Sequence, residues 1–357
     1  MRIDPPKMVE TLNELLSNGN LIEIKKRIEK MKEELAYFEA DQPEILNMDA
    51  NGRTFEVKGK YLISELEQIL ETRSIERTKY YIQRLVKGLS EVKTSKINDI
   101  NLNRWKEYED IFTDSLWILK KRDHSGAHSA GYWGNFIPQI PNQLLRRYTK
   151  KGEWVLDPFL GSGTTLIECN RLGRNGIGIE LQEEVALLAR NNLEKDRNLL
   201  QKPVRTEVII GDSTTFSFAE ALKKTGVNTV QFLIMHPPYW DIIKFSDDKR
   251  DLSNAETTVQ FLTSFGKIVD HTYPFLDKGR YLAVVIGDKY ARGEWIPLGF
   301  YTMQEILKRN YSLKSIIVKN FEETKGKMNQ KELWRYRALV GGFYIFKHEY
   351  IFLFKKK

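Results

Sequence analysis

The stretch from Val155 to Thr165 constrains this chain more than any other. Trp154, Val155 and Leu156 form a short apolar run that predicts a buried strand. The run ends on Asp157 and gives way to a loop with Gly161 and Gly163. An apolar pattern of helical spacing then starts at Thr164 and continues through Leu166, Ile167, Cys169 and Leu172. Strand, glycine loop and helix make the first turn of a doubly wound α/β sheet. Loop amides and the helix N-terminus there point into the crevice at the strand's carboxyl end. Glycine lets the backbone come close to a ligand.

The elements that follow repeat the plan. Gly176 to Ile179 predicts a second strand ending at Glu180. A carboxylate there, about 20 residues beyond the glycines, is placed to accept two hydrogen bonds from a ribose diol. A helix is expected from Gln182 to Lys195, and a third strand from Glu207 to Ile210 leads to Asp212. Thr229 to Met235 predicts a fourth strand, with His236, Pro237, Pro238, Tyr239 and Trp240 at its carboxyl end. A helix over 261–275, a strand over 281–286, a helix over 301–307 and a final strand pair, 313–318 with 350–354, complete the sheet.

Asp157, Pro158, Phe159, Leu160, Gly161, Ser162, Gly163, Thr164 and Thr165 resemble the cofactor-binding motif of amino-group DNA methyltransferases, which use S-adenosylmethionine. His236-Pro237-Pro238-Tyr239 is similar to that family's catalytic motif, in which Asp, Asn or Ser precedes Pro-Pro-Tyr; His236 is the departure. The resemblance covers roughly Tyr132 to Lys357, including a closing segment with His348, Glu349 and Lys355. It implies a Rossmann-like methyltransferase fold, a mostly parallel seven-stranded α/β sheet with helices on both faces. The cofactor contacts it implies are Asp157, Pro158, Phe159, Gly161, Ser162, Gly163, Thr164 and Thr165, with Glu180 on the ribose. Asp212 would stand near the adenine amino group, and Phe136 would line the methionine end. His236, Pro237, Pro238 and Tyr239 would be catalytic, acting on double-stranded DNA with the target base flipped out.

The chemistry explains these residue types. An exocyclic amino group is a poor nucleophile because its lone pair is delocalised into the base. Two acceptors holding its protons localise the pair on nitrogen. The side chain before Pro-Pro-Tyr supplies one acceptor and a backbone carbonyl, that of Pro237, the other. Proline suits the position, with no amide proton and a fixed φ. Tyr239 would stack on the base, a contact worth ~1–3 kcal/mol. A neutral imidazole has one acceptor nitrogen, so His236 can do the work of Ser or Asn; protonated, it has none. Activity is therefore expected to fall as His236 protonates, near a pKa of ~6.5 unless burial shifts it.

Residues 1–122 are expected to form a mainly helical region for DNA recognition or dimerisation, and 123–357 the catalytic domain. In the first, stripes over residues 8–40, 63–90 and 101–121 read as helices. Asn51-Gly52 signals a hairpin, with short strands over 54–57 and 60–62. Residues 1–120 hold 20 Lys+Arg and 22 Asp+Glu, net −2; against the totals of 56 and 48, the remainder holds 36 and 26, net +10. The basic half is thus the catalytic half, which fits phosphate contact. The stretch from Lys319 to Arg337 reads as a DNA-contacting or solvated loop.

A single cysteine, Cys169, excludes an internal disulfide and reads as core. His124 and His128 lie in a glycine-bearing linker with no third ligand near, so no metal is expected. With no apolar run near ~20 residues and no signal peptide, a cytoplasmic, nucleoid-associated protein follows, with no membrane contact. The favoured reading is a DNA methyltransferase acting on cytosine N4 or adenine N6, in restriction-modification or related DNA modification. Trp240 after the tyrosine leans it to cytosine. A homodimer or a companion recognition or restriction subunit is the expected partner besides DNA. The alternatives are an RNA amino methyltransferase and an inactive, cofactor-binding subunit of a DNA-binding complex. A nicotinamide dehydrogenase is excluded, because Pro-Pro-Tyr has no role in hydride transfer and the loop lacks Gly-x-Gly-x-x-Gly.

Overall fold

The computed structural model describes residues 5–39, 45–50, 53–128, 132, 134–196, 204–321 and 331–357. The chain divides into two compact units, Met1–Lys96 with Ile100–Asp110, and Ile97–Asp99 with Ile111–Lys357.

The first unit contains α1 (Pro5–Ser17), α2 (Leu21–Glu39), β1 (Ile45–Ala50), β2 (Arg53–Lys58), α3 (Gly59–Leu70) and α4 (Ile75–Ser90). Leu12, Leu15, Ile24, Ile28, Leu62, Leu66, Ile69, Ile82 and Leu85 are buried at helical spacing and form its core. Asn20 caps α2 by accepting from the amides of Ile22 and Glu23, and Ser74 caps α4 by accepting from that of Arg77. β1 and β2 pair antiparallel; Asn51 and Gly52, where the hairpin turn was expected, lie outside the described residues. The strand expected over 60–62 is instead the start of α3. Tyr61, Leu62, Glu65, Leu66 and Ile69 are buried together, a helical and not an alternating pattern.

The second unit carries β3 (Leu116–Trp117), α5 (Gln139–Tyr148), β4 (Trp154–Asp157), α6 (Thr164–Leu172), β5 (Asn175–Glu180), α7 (Glu183–Lys195) and β6 (Thr206–Ile210). There follow α8 (Phe218–Thr225), β7 (Val230–Met235), α9 (Thr258–Thr272), β8 (Leu276–Ile286), β9 (Lys289–Ala291), β10 (Glu294–Ile296), α10 (Leu298–Leu307), β11 (Tyr311–Asn320), α11 (Lys331–Gly341) and β12 (His348–Lys356). The main sheet runs β3-β11-β12-β8-β7-β4-β5-β6. β4 pairs parallel with β5 and β7, β5 with β6, and β7 with β8, whereas β12 runs antiparallel to β8 and β11. This is the Rossmann-like methyltransferase sheet. Successive strands β4, β5 and β6 step one way and β7 and β8 the other, so a crevice opens at the carboxyl ends of β4 and β7.

Helices cover both faces, which is why the central strands read as unbroken apolar runs. Along β7, Phe232 and Ile234 pack with Ile140, Leu144 and Leu166, while Leu233 and Met235 pack with Phe261, Phe265 and Ile268. Cys169 is fully buried among the first group.

Three expectations are corrected. The sheet has an eighth strand, β3, which pairs parallel with the edge strand β11. The helix expected over 101–121 is a short 3-10 segment, Leu102–Tyr108, followed by turns and bends and then the two residues of β3. Aromatic spacing there mimicked a helix, but the backbone of 116–117 takes its hydrogen bonds from the sheet edge, and Trp117 is buried below it. The second compact unit takes in Ile97–Asp99 and the chain from Ile111 onward. Third, residues 331–337 are helical rather than a loop, and 322–330 lie outside the described residues. No helix among the described residues is long and apolar enough to cross a membrane.

Phe232 is fully buried mid-sheet. Phe232→Ala should destabilise the protein by ~3–5 kcal/mol, visible as a lower urea midpoint with an unchanged slope.

Candidate active site

The carboxyl ends of β4, β5, β6 and β7 border a cavity of ≈ 850 Å³. Buried Asp157 ends β4. Its Oδ2 accepts from Thr165 Oγ1 at 2.6 Å and its Oδ1 from the Phe159 amide at 2.9 Å, so one carboxyl ties strand, loop and helix together. Burial pushes its carboxyl up to about 7. Gly161 and Gly163 sit at φ of +56° and +94°, where any other residue is strained. A Cβ on Gly163 would stand 3.2 Å from that of Ala189 on α7.

Glu180 ends β5 and locks the loop from the other side. Its Oε2 accepts from the Gly161 amide and its Oε1 from that of Gln182, both at 2.9 Å. Burial raises its carboxyl. Each oxygen keeps a lone pair, so the expected diol contact is compatible with this bracing. Asp212 follows β6. Its Oδ1 takes both the amide and the hydroxyl of Thr214, at 2.8 and 2.7 Å, and so shapes a turn instead of capping α8.

Of the residues singled out from sequence, Phe136, Pro158, Phe159, Gly161, Thr164, Glu180, Asp212, His236, Pro237, Pro238 and Tyr239 line the cavity. Asp157, Ser162, Gly163 and Thr165 stand behind its wall. Ser162 turns its hydroxyl to Asn135 Oδ1 at 2.8 Å, and its carbonyl accepts from Asn192 Nδ2 at 3.0 Å. Their place is to hold the loop. His128 is buried, with Nε2 2.6 Å from Glu168 Oε1. Among the described residues no cluster of His, Cys, Asp or Glu is arranged to hold a metal.

His236 follows β7. Phe136 meets its ring edge-on at 4.8 Å between centroids, and Nε2 lies 3.2 Å from the Tyr239 hydroxyl. Burial drives the imidazole down to about 4, against a weaker opposing pull from Glu349. The expectation of a loss of activity near pH 6.5 is therefore replaced by neutrality of His236 down to about pH 5. The Tyr239 ring lies against Gly287, where a Cβ would come within 2.9 Å. Trp240 adopts φ of +51°, unusual for a bulky residue. It is held by its Nε1–H donating to the Ala255 carbonyl at 2.7 Å and by Lys289 Nζ 3.9 Å from the ring centroid. Backbone strain of this kind persists where surrounding contacts over-determine the conformation.

Five cavity residues had been given no site role from sequence: Tyr132, Gly134, Phe245, Lys319 and Glu349. Tyr132 and Phe245 stack with centroids 6.3 Å apart, and Gly134 at φ of +87° leaves room for the Phe245 ring. Lys319 and Glu349 form a buried pair, Nζ to Oε1 at 3.0 Å. The positive φ of Gly134 could have been suspected from its place in an aromatic run. The Lys319–Glu349 pairing depends on strand register, and Lys319 is thereby removed from the expected DNA-contacting loop.

The fold and this strand-end site define a cofactor-binding α/β enzyme of the methyltransferase type. The sequence model of a family described as DNA methylase matches residues 12–191, half of the chain, and the chain belongs to that family, the N4/N6 type. The match starts in the first unit, well before Tyr132 where the resemblance was expected to begin, and takes in the glycine loop and Glu180. Among curated relatives, the type II methyltransferase M.MjaII of Methanocaldococcus jannaschii is 44% identical over 87 residues, 24% of this chain and 16% of that protein. M2.DpnII of Streptococcus pneumoniae is 39% identical over 99 residues, 27% of this chain and 34% of that protein. The matches thus span about a sixth and a third of those relatives' lengths. Among solved structures, TrmN from Thermus thermophilus aligns at 16% identity and a TM-score of 0.39, covering 62% of this chain and 49% of that one. The family's cofactor is S-adenosylmethionine. The residues fit it: a glycine-lined loop at a helix N-terminus, a strand-end carboxylate with free lone pairs, and a mostly apolar wall.

Gly163→Ala should cost ~1–2 kcal/mol of stability through its positive φ. Through the displaced loop it should also weaken calorimetric binding of S-adenosylhomocysteine by about 10-fold or more. Unchanged binding would separate Gly163 from the cofactor loop.

Proposed function

We propose that this protein methylates the exocyclic amino group of cytosine (N4) or adenine (N6) in DNA, with N4 placed first because Trp240 follows the motif. The observation that carries the reading is the position of His236, at the strand end beside the glycine loop, with Phe136 and Tyr239 against it. Glu180, Asp212 and the loop at Gly161 would hold S-adenosylmethionine, which when bound supplies an electrophilic methyl group. His236 accepts one amino proton of the flipped base and the Pro237 carbonyl accepts the other. The lone pair localised on nitrogen would form the new N–C bond as the methyl–sulfur bond breaks and the donor leaves as a neutral thioether, and His236 is placed to take the proton that nitrogen then sheds. Tyr239 offers its ring for stacking. Because the methyl donor loses its charge in the reaction, alignment matters more here than charge stabilisation.

Support comes from family membership, from the site's geometry and from the relatives named as type II methyltransferases. Site-specific modification alongside a restriction partner, and the DNA-reading role of the first unit, belong to the same proposal.

The test is transfer of labelled methyl from S-adenosylmethionine to unmethylated genomic DNA, followed by nucleoside analysis. N4-methylcytosine or N6-methyladenine is expected. Label entering RNA alone, or no transfer despite cofactor binding, would overturn the proposal. His236→Ala should lower kcat by ~10²-fold or more, with His236→Asn, which keeps an acceptor, retaining more activity. The wild-type rate should show no His236 ionisation between pH 5.5 and 8. The imidazole charges only as pH approaches about 4, so any loss from this group lies on the acid side; an inflection near pH 6.5 that disappears in His236→Asn would contradict this.

A further inference from the structure

Lys319 on β11 and Glu349 on β12 are directly opposed in the antiparallel register. Both are buried, with Lys319 Nζ 3.0 Å from Glu349 Oε1. A buried ion pair contributes little net stability compared with apolar residues of the same volume, so its place beside the catalytic motif calls for another reason. The second oxygen supplies one. Glu349 Oε2 accepts the Tyr239 hydroxyl proton at 2.7 Å. That phenol has one proton and it is committed, so toward His236 Nε2, at 3.2 Å, its oxygen can only accept. Nε2 must then carry the imidazole proton. Nδ1 is left with its lone pair and takes no hydrogen bond from any described residue, in a side chain that lines the cavity.

We propose that Glu349, anchored by Lys319, is a positioning residue that acts through the Tyr239 hydroxyl to hold His236 as its Nε2–H tautomer, so that Nδ1 is the acceptor presented to the substrate amino group. The inference rests on the functional reading above for the word substrate, but the tautomer itself does not depend on it. The groups facing the imidazole are Phe136 on one side, Tyr239 on another, and Glu349 and Lys319 behind Tyr239. Phe136 and Tyr239 supply no competing charge. Burial alone would raise the Glu349 carboxyl, but Lys319, with His236 and Tyr239, holds it below the usual carboxylate range. Burial and Glu349 together raise the Tyr239 phenol, so its proton stays on oxygen and available to donate. With the opposite tautomer, either two lone pairs would face each other at Nε2, or the Tyr239 proton would turn to Nε2 and leave a buried anionic oxygen short of a donor. An Asp, Asn or Ser at this position needs no such device. Histidine does, because only one of its two neutral forms has the acceptor where it is wanted.

The test uses the full-length protein labelled with ¹⁵N-histidine. Only five histidines are present, so long-range ¹H–¹⁵N correlations resolve each ring, and His236→Asn identifies its signals. The wild type should show protonated Nε2 and bare Nδ1 throughout pH 5.5–8. In Glu349→Ala/Lys319→Met the phenol proton is released to Nε2, and His236 should shift to the Nδ1–H form. Methyl transfer should then lose about 10-fold or more in kcat, with KM for S-adenosylmethionine within about 2-fold, because neither residue belongs to the glycine loop or the strand ends assigned to the cofactor. Tyr239→Phe leaves the ion pair intact, covers the case in which the double variant fails to fold, and should give a mixture of tautomers. An Nδ1–H wild type, or an unchanged tautomer in both variants, overturns the proposal. Since the ring signals need no turnover, the expected tautomers with no methylation of DNA would count against the functional reading and leave this inference standing.

Discussion

The carboxyl of Asp157 is the point on which the site hangs. It is fully buried, yet it binds both the loop, through the Phe159 amide, and α6, through the Thr165 hydroxyl. An unsatisfied carboxyl there would be expensive. Two donors, together with a pKa raised to about 7, make it tolerable. Glu180 closes the same loop from β5 through the Gly161 amide. Two adjacent parallel strands thus grip one glycine loop between their ends, and the helix N-terminus behind it is fixed in direction.

The second half of the site uses a different device. The catalytic motif leaves β7 and is steadied from the antiparallel end of the sheet, by β11 and β12. Reversal of β12 brings Glu349, early in its strand, to the same edge as the carboxyl ends of the parallel strands. Tyr239 bridges the two halves, with its hydroxyl on Glu349 and its ring over Gly287 at the end of β8. Strain at Trp240, φ +51°, is held by one hydrogen bond and a cation above its ring, and it ends the motif by turning the chain away from the strand direction.

Local signals located the parallel half of the sheet. β4, β5, β7 and β8 are buried on both faces and read as apolar runs, while α6, α7 and α9 show helical spacing. The errors fell where local pattern and tertiary demand part. Around 101–121, aromatic spacing suggested a helix, but an edge strand needed a partner. At 60–62 a short apolar run resembles a strand, but the buried residues of α3 follow helical spacing. His236 was expected at a strand end and stands there, while the size of the burial shift in its ionisation, left open by the sequence, comes from the packing. That range follows from enclosure by Phe136, Tyr239 and the β12 strand, which no window of sequence contains.

What the sequence determined by itself is the set of chemical groups and their order: a glycine loop after a short strand, carboxylates at two later strand ends, and His-Pro-Pro-Tyr at a fourth. Each is local, because strand periodicity and turn chemistry act over a few residues. Tertiary structure alone decided which of these groups face the cavity and which brace it, separating Phe136, Glu180 and Tyr239 from Asp157, Ser162 and Thr165. It also decided the pairing of Lys319 with Glu349 and their joint hold on Tyr239 and His236. The reason is that register between strands 30 residues apart, and the loss of water around a ring, are properties of packing. They arise only when the whole sheet is assembled.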